Sequence, residues 1–372
     1  MAVIGVVGLG AMGLGIVQVY AQAGFTVYAT DTQEGARNNA LKRLNDALQP
    51  RVDSGKMTAE AMQAIVSAIT VTTQPEDFVA PDMVIEAIIE DLAIKQALFA
   101  RLERAFPEAI LATNTSALSV MLLSRGLHQP ENLVGLHFFN PAPVMKLVEL
   151  VVHLKASEAT LSLAEKLTSD AGKTVIRCAD TPGFIVNRCA RPFYGEALAM
   201  VAEGRWPSEI DASMLAAGYR MGPFALIDLI GADINLAATE GMSRAMGGNP
   251  RYHVFNLLRE QVAKGDLGRK SGRGFLFPGV PEAPPSDAEW IATRIEATLA
   301  NEAASLVESG GATPEAIDSA LKLGLNFPRG PFESARARGI PLILKALAQL
   351  EVRAPAELKG RYVASPVLTA MA

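Results

Sequence analysis

The sequence predicts a doubly wound α/β sheet followed by an all-α domain present in two tandem copies. Three observations carry this. Short apolar runs alternate with helical stretches over roughly the first 180 residues, the pattern of parallel strands buried between helices. The character changes after Asp180-Thr-Pro-Gly183, where helical stretches take over. Beyond a proline-rich stretch, motifs of the helical region return in the same order.

The first 30 residues read as strand, glycine turn, helix, strand. Val3–Val7 is a continuous apolar run, Gly8-Leu-Gly10-Ala11-Met12-Gly13 is the turn, and a helix runs to about Gly24. Phe25–Ala29 is the second strand, ending at Asp31. Further strands are expected at Ile69–Val71, Met83–Ala87, Ile110–Ala112 and Leu133–His137. Residues 33–68 hold a helical pair dotted with Arg37, Lys42, Arg43, Arg51 and Lys56. From Phe184 to about Gly204 a single apolar helix is expected, with further helices from Pro207 to Phe277. Pro278-Gly-Val-Pro281-Glu-Ala-Pro284-Pro285 cannot be helical throughout and reads as a stiff linker. Past it, Glu196-Ala197 recurs as Glu302-Ala303, Pro207 with Ile210-Asp211 as Pro314 with Ile317-Asp318, and Gly222-Pro-Phe224 as Gly330-Pro-Phe332. The expected boundaries are therefore 1–181 for the sheet domain, 182–277 for the helical domain, 278–285 for the linker and 286–372 for the second copy. That copy lacks the Phe-Ile-Val-Asn187-Arg opening, so no chemistry is expected of it.

Composition narrows the function classes. The 372 residues are 49% hydrophobic and 20% charged, with a net charge of −5, so no basic field exists for nucleic acid or an anionic membrane. An anionic ligand has to be caught by local groups. Cys178 and Cys189 have neither metal nor redox spacing, which fits a reducing cytoplasm. The apolar start lacks a charged leader region, and no run is long enough to span a bilayer.

Gly8-x-Gly10-x-x-Gly13 lies between a strand and a helix, the context that a Rossmann-type dinucleotide site needs. Glycines allow a tight turn and close approach of backbone to a pyrophosphate, and the helix N-terminus offers amides and a positive dipole end. Asp31 stands 18 residues past Gly13, at the end of the second strand. A carboxylate there accepts from ribose hydroxyls and repels a 2′-phosphate, favouring NAD over NADP. A glycine turn serving some other α/β protein is the alternative.

Downstream, Leu133–Phe138 and Lys146–Val152 flank a turn carrying Pro141 and Pro143. A strand–turn–strand return brings His137 beside Glu149, and an imidazole beside a partly buried carboxylate is a tuned general base. A core histidine satisfied by a carboxylate is the competing reading.

With these residues in hand, the chain resembles the (S)-3-hydroxyacyl-CoA dehydrogenases over residues 3 to about 277. The motifs that agree in order and spacing are Val84-Ile-Glu-Ala-Ile-Ile-Glu90-Asp-Leu-Ala-Ile-Lys95, Ala112-Thr-Asn-Thr-Ser116, His137-Phe-Phe-Asn140-Pro and Asp180-Thr-Pro-Gly-Phe-Ile-Val-Asn187-Arg. Gly222-Pro-Phe-Ala-Leu-Ile-Asp228 and Gly265-Asp-Leu-Gly-Arg-Lys270-Ser-Gly-Arg-Gly-Phe complete the set. Ala117 departs from the serine that the family often has there. The resemblance implies NAD-dependent oxidation of a 3-hydroxyacyl-CoA to the 3-ketoacyl-CoA. It makes His137 the base and Glu149 its orienting carboxylate, as in a triad. Ser116 and Asn187 would hydrogen-bond substrate oxygens, and Glu90, Lys95, Asn140 and Lys270 would contact the cofactor or its surroundings. Each has a plainer alternative: Ser116 as an N-cap, Asn187 as capping or packing, Glu90 and Lys95 as a solvated pair, Lys270 as part of a basic loop.

Coenzyme A carries phosphates, and Arg51 and Lys56 are the candidates to meet them. Arg191 lies one helical turn after Asn187 and is expected to point toward the acyl site. The stretch Asn187-Arg-Cys-Ala-Arg-Pro-Phe-Tyr-Gly-Glu-Ala looks closest to the branch acting in phenylacetate breakdown on 3-hydroxyadipyl-CoA. An arginine there can pair with a distal carboxylate, the alternative being an ion pair with a nearby acid. Single-copy members of the family dimerise through the helical domain, so the repeat implies either a homodimer or an internal pseudo-dimer. Two rival readings fit less well. A 3-hydroxyisobutyrate-type oxidoreductase needs a lysine in its second domain, yet no lysine occurs between Lys173 and Lys264. A non-catalytic, crystallin-like member of the same superfamily would not need His137, Glu149, Ser116 and Asn187 together.

Overall fold

A computed structural model describes residues 2–372. The chain forms two compact units, Met1–Thr181 and Pro182–Ala372. The first is built on eight strands: β1 (Val3–Val7), β2 (Thr26–Thr30), β3 (Ile69–Val71), β4 (Met83–Glu86), β5 (Ile110–Thr113), β6 (Leu133–Phe138), β7 (Leu147–Val152) and β8 (Thr174–Ala179). Their order across the sheet is β3-β2-β1-β4-β5-β6-β7-β8. β1 is flanked by β2 and β4, so the chain reverses its direction of travel across the sheet at that point. Ligands of doubly wound sheets bind at such a switch, outside the carboxyl ends of the strands.

The apolar runs become strands because both faces are covered. Ile4, Val6, Val27, Met83, Ile85 and Ala112 are all buried in one core with residues of the helices. The helices of this unit are α1 (Ala11–Gln22), α2 (Glu34–Asp53), α3 (Ala59–Ser67), α4 (Leu92–Ala105), α5 (Val120–Leu123) and α6 (Glu158–Asp170), of which α1, α2, α3 and α6 share that core. Strand bounds agree with the sequence reading to within a residue or so. β8 is the strand that reading lacked: it lies at the sheet edge, and its alternation is blurred by Thr174 and Arg177 facing outward.

The second unit comprises α7 (Val186–Cys189), α8 (Arg191–Ala202), α9 (Pro207–Ala216), α10 (Pro223–Ile230), α11 (Ala232–Ala245), α12 (Asn256–Ala263), α13 (Ala288–Glu308), α14 (Pro314–Leu325), α15 (Pro331–Arg338), α16 (Ile340–Arg353) and α17 (Pro366–Thr369). The single helix expected from Phe184 to Gly204 is two. Pro192 has no N–H to bond the Arg188 carbonyl, and the hydrogen-bond ladder breaks at Ala190 although its backbone stays helical. Residues 278–285 carry neither helix nor strand.

The repeated motifs fold alike. Asp211 on α9 accepts the amides of Phe224 and Ala225 at 3.0 and 2.8 Å, and Asp318 on α14 accepts those of Phe332 and Glu333 at 2.8 and 3.1 Å. Each carboxylate thereby satisfies the first free amides of the following helix. The preceding Gly222 and Gly330 admit this approach: a Cβ on either would sit 2.2–2.3 Å from the aspartate.

Candidate active site

The glycine turn leaves the carboxyl end of β1. Gly8 has φ +107°, and a Cβ on it would lie 2.4 Å from the Ala87 carbonyl oxygen. A Cβ on Gly13 would meet the Gly8 carbonyl oxygen at 1.9 Å. Above Gly10, by contrast, nothing lies within 4 Å. The first intrahelical bond runs from Leu14 N to Gly10 O, leaving the amides of Ala11, Met12 and Gly13 outside the ladder. No acidic residue occupies the first turn of α1. The turn thus offers donors, a dipole end and room for a backbone-close anion. Asp31 closes the site at the end of β2. Its carboxylate accepts Leu9 N at 2.7 Å and Gln33 N at 2.8 Å, so it is fixed by the turn it faces. These residues fit a pyrophosphate and a ribose.

At the carboxyl ends of β4 and β5 a buried charge network sets the next loops. Lys95, on α4, is 1% exposed and donates to Glu86 Oε1 at 2.6 Å. Its ammonium also lies 3.1 Å from Glu90 Oε2. Glu86 further accepts Thr113 Oγ1 at 2.7 Å and the Ile88 amide at 2.7 Å. Glu90 accepts Thr115 Oγ1 at 2.5 Å and the Ser116 amide at 3.0 Å. Burial would push the Glu90 carboxyl up, but Thr115, Lys95 and the Ser116 amide outweigh it and hold it below the usual range. Glu90 and Lys95 are therefore not a solvated pair. Lys95 braces the loop from inside, and removing one partner of a buried pair costs about 3–5 kcal/mol.

Ser116 is exposed at the start of the loop after β5. The N-cap of α5 is Ser119, whose side chain accepts Leu122 N. Capping is thus not the task of Ser116. Asp180 reinforces the same helix start, accepting Ser119 Oγ and the Val120 and Met121 amides. Asn114 ties this loop to the next strand, its side-chain oxygen accepting Phe138 N at 2.9 Å.

β6 and β7 pair antiparallel with His137 directly opposite Glu149. Nδ1 of His137 lies 2.6 Å from Glu149 Oε2. Glu149 is fully buried, and His137 is 6% exposed beside the Phe139 ring. A carboxylate on Nδ1 fixes the tautomer in which Nε2 is the basic nitrogen. Asn140 is exposed just beyond β6. Cys178 on β8 is no rival nucleophile: burial, then Glu149 and Asp180, push its thiol well up.

In the second unit, Asn187 sits in α7. Arg191 is 8% exposed, its Nε donating to the Asn187 carbonyl at 3.1 Å and Nη1 to Thr239 Oγ1 at 3.2 Å. The guanidinium also stands 4.9 Å over the Tyr194 ring. No carboxylate pairs with it among the described residues, contrary to the ion-pair alternative. Burial lowers its pKa. Lys270 lies in the turn Arg269–Ser271 and pairs with Asp233 at 2.5 Å. A perturbed carboxyl is not by itself a site here. Burial pushes Asp211 up to about 7, yet Asp211 is a helix-start brace repeated at Asp318.

Arg51 and Lys56, expected to meet the coenzyme A phosphates, lie away from the glycine turn. Arg51 lies about 25 Å along α2 from its glycine-turn end at 1.5 Å per residue. It lines an open cleft with Gln22, Gly24 and Ala68, which lead into the amino ends of β2 and β3. Lys56 follows just beyond the helix end and is exposed. Both are at the opposite edge of the sheet from the glycine turn. Sequence reasoning also missed Glu86, Thr115, Asn114 and Asp180. The signal for Glu86 was a carboxylate inside an apolar strand, which demands a buried partner.

Comparison with known proteins agrees with this geometry. The model described as 3-hydroxyacyl-CoA dehydrogenase, NAD binding domain, matches residues 3–181, and that of the family's C-terminal domain matches 183–277 and 290–372. The chain belongs to the 3-hydroxyacyl-CoA dehydrogenase family. Its members are NAD-dependent oxidoreductases, and NAD is the cofactor that the glycine turn fits. The 3-hydroxyadipyl-CoA dehydrogenase of Escherichia coli K12 is 42% identical over 274 residues, 73% of this chain, and the match spans 58% of that longer relative. A probable 3-hydroxybutyryl-CoA dehydrogenase of Bacillus subtilis is 40% identical over 73% of this chain and 95% of its own length. Among solved structures, a 3-hydroxybutyryl-CoA dehydrogenase of E. coli K12 superposes with a TM-score of 0.93 at 30% identity, covering 100% of this chain and 98% of its own. Among the described residues no helix is long and apolar enough to cross a membrane, and no cluster could hold a metal ion.

Proposed function

We propose that this chain interconverts (S)-3-hydroxyacyl-CoA and 3-ketoacyl-CoA, with His137 as the proton-transfer group. The observation that carries this reading is the 2.6 Å contact between His137 Nδ1 and the fully buried Glu149. Bound NAD supplies the hydride acceptor in oxidation and, reduced, the donor in the reverse direction. In oxidation, Nε2 of His137 takes the proton of the C3 hydroxyl. Glu149 holds the ring in that tautomer and stabilises the imidazolium that forms. Ser116 and Asn187 hydrogen-bond substrate oxygens, offsetting charge that builds on the carbonyl. Gly8, Gly10, Ala11, Met12 and Gly13 cradle the pyrophosphate, Asp31 accepts from the ribose, and Glu90 and Asn140 border the cofactor. Mixing with NADH and acetoacetyl-CoA is expected to consume NADH, and His137→Ala to slow this by about 10²–10⁴-fold. A rate indifferent to that substitution defeats the assignment.

The finer substrate reading concerns Arg191. A buried guanidinium with neutral partners alone holds an uncompensated charge, which favours an acyl chain ending in a carboxylate. The relative named for 3-hydroxyadipyl-CoA supports the same reading. Arg191→Ala is expected to lower kcat/KM for 3-hydroxyadipyl-CoA well below its effect on 3-hydroxybutyryl-CoA. Equal losses on the two substrates contradict a carboxylate role.

Residues 182–277 and 286–372, joined by 278–285, are read as two copies of the helical domain forming an internal pseudo-dimer. The two matches of the C-terminal family model and the repeated aspartate braces support this. Light scattering is then expected to give a monomer near 39.4 kDa. A dimer that Glu302→Lys dissociates into folded monomers argues the opposite.

A further inference from the structure

Asn187 belongs to α7, a helix of four residues. The hydrogen-bond ladder between this turn and α8 breaks at Ala190, so side chains help to fix the turn. One that does so is its neighbour Arg188, 4% exposed. Nε of Arg188 donates to Glu302 Oε1 at 2.7 Å, Nη2 to Ser305 Oγ at 3.3 Å and Nη1 to Ser309 Oγ at 3.3 Å. Glu302 and Ser305 lie three residues apart on α13, and Ser309 caps that helix's end, so the three acceptors share one face. Glu302 is itself held by Tyr252, whose hydroxyl donates to Oε1 at 2.5 Å, and by Arg251, 3.5 Å from Oε2. Burial would depress the Arg188 guanidinium, but Glu302 and Tyr252 raise its pKa, so it stays charged.

The same cluster exists a second time with the roles of the two segments exchanged. Arg294 donates to Glu196 Oε1 at 2.5 Å, Arg361 Nε to Glu196 Oε2 at 3.3 Å and Tyr362 to Glu196 Oε1 at 3.2 Å. Arg188 and Glu196 correspond to Arg294 and Glu302, and Arg251-Tyr252 to Arg361-Tyr362. Each segment presents its arginine to the other's glutamate, the form of a two-fold interface. The copies differ at the residue before the arginine, Asn187 in the first and Thr293 in the second. Thr293 is spent on structure, donating to the Glu289 carbonyl and accepting Arg338 Nη1. The interface arginine is present in both copies and the asparagine in one.

We infer that Glu302 is a positioning residue for Asn187, acting through Arg188. The second helical segment contributes to the reaction by holding a substrate-binding turn of the first. This rests on the reading of Asn187 as a substrate contact. The duplicate cluster supplies a control, since Glu196 is equally buried but its arginine, which also pairs with Glu203 at 2.6 Å, follows no such residue.

The test compares Glu302→Gln with Glu196→Gln, measuring thermal midpoint and the kinetics of NADH oxidation with acetoacetyl-CoA. Both are expected to lower the midpoint, Glu196→Gln by less because Arg294 keeps Glu203. Glu302→Gln is expected to lower kcat/KM on the order of 10- to 100-fold, as misplacement of a binding group does, while Glu196→Gln keeps it within about twofold of the parent by the same reasoning. Glu302→Asp, which keeps the charge, should recover part of the loss. Should either glutamine variant fail to fold, Ser305→Ala with Ser309→Ala removes two contacts of Arg188 without stranding a charge. That pair is expected to raise KM for acetoacetyl-CoA severalfold. Equal kinetic effects of the Glu302 and Glu196 variants, or unchanged kinetics in the serine pair, overturn the inference alone. An Asn187→Ala variant with undiminished kcat/KM removes the reading beneath it.

Discussion

The pairing of His137 with Glu149 depends on one reversal of strand direction in the sheet. Among the described residues of the sheet, β6 and β7 pair antiparallel while every other neighbouring pair is parallel. That reversal returns the chain at once, so residues twelve apart in sequence stand opposite one another. Because side chains alternate faces, a slip of one residue would send Glu149 to the far face of the sheet and leave a buried imidazole without its partner. The apolar residues that flank both positions hold the register, each buried on a covered sheet.

Around this pair the carboxyl edge of the sheet is assembled from charges that the fold has already paid to bury. Lys95 lies under Glu86 and Glu90 and fixes the loop that bears Ser116, while Asn114 ties that loop to Phe138, the residue after His137. The glycine turn faces the same edge, with Asp31 bonded to Leu9 within it. The contact of Lys95 with Glu86 lies in a water-poor setting, where an unmade bond is costly and geometry is correspondingly well defined. In the second unit the arginine–glutamate clusters play the matching part, using ion pairs between helices distant in sequence.

Much of the sheet and of the dinucleotide turn was legible in the sequence, because burial on both faces writes strands as continuous apolar runs and a close backbone approach writes glycine. His137 and Glu149 could be paired from the turn between them. The repeat was legible too, since Gly-Pro-Phe and Ile-Asp recur in fixed order. Other features left no local trace. The burial of Lys95 depends on Glu86, which reads as one polar residue in a strand until the fold supplies its partner. Where Arg51 stands relative to the glycine turn is set by the twenty-residue helix that carries it, which sequence distance alone does not show. The reciprocity of Arg188 with Glu302 and Arg294 with Glu196 joins residues about a hundred positions apart. Repeat spacing alone does not reveal which of them meet.

The most direct measurement is kcat/KM for NADH oxidation with acetoacetyl-CoA in the parent chain and in Glu149→Gln. If Glu149 holds His137 as the proton-transfer group, the variant keeps its affinity for NADH, and kcat/KM falls by about 10²–10⁴-fold. A Glu149→Gln variant whose kcat/KM stays near that of the parent would contradict the assignment of His137 and Glu149 as a working pair.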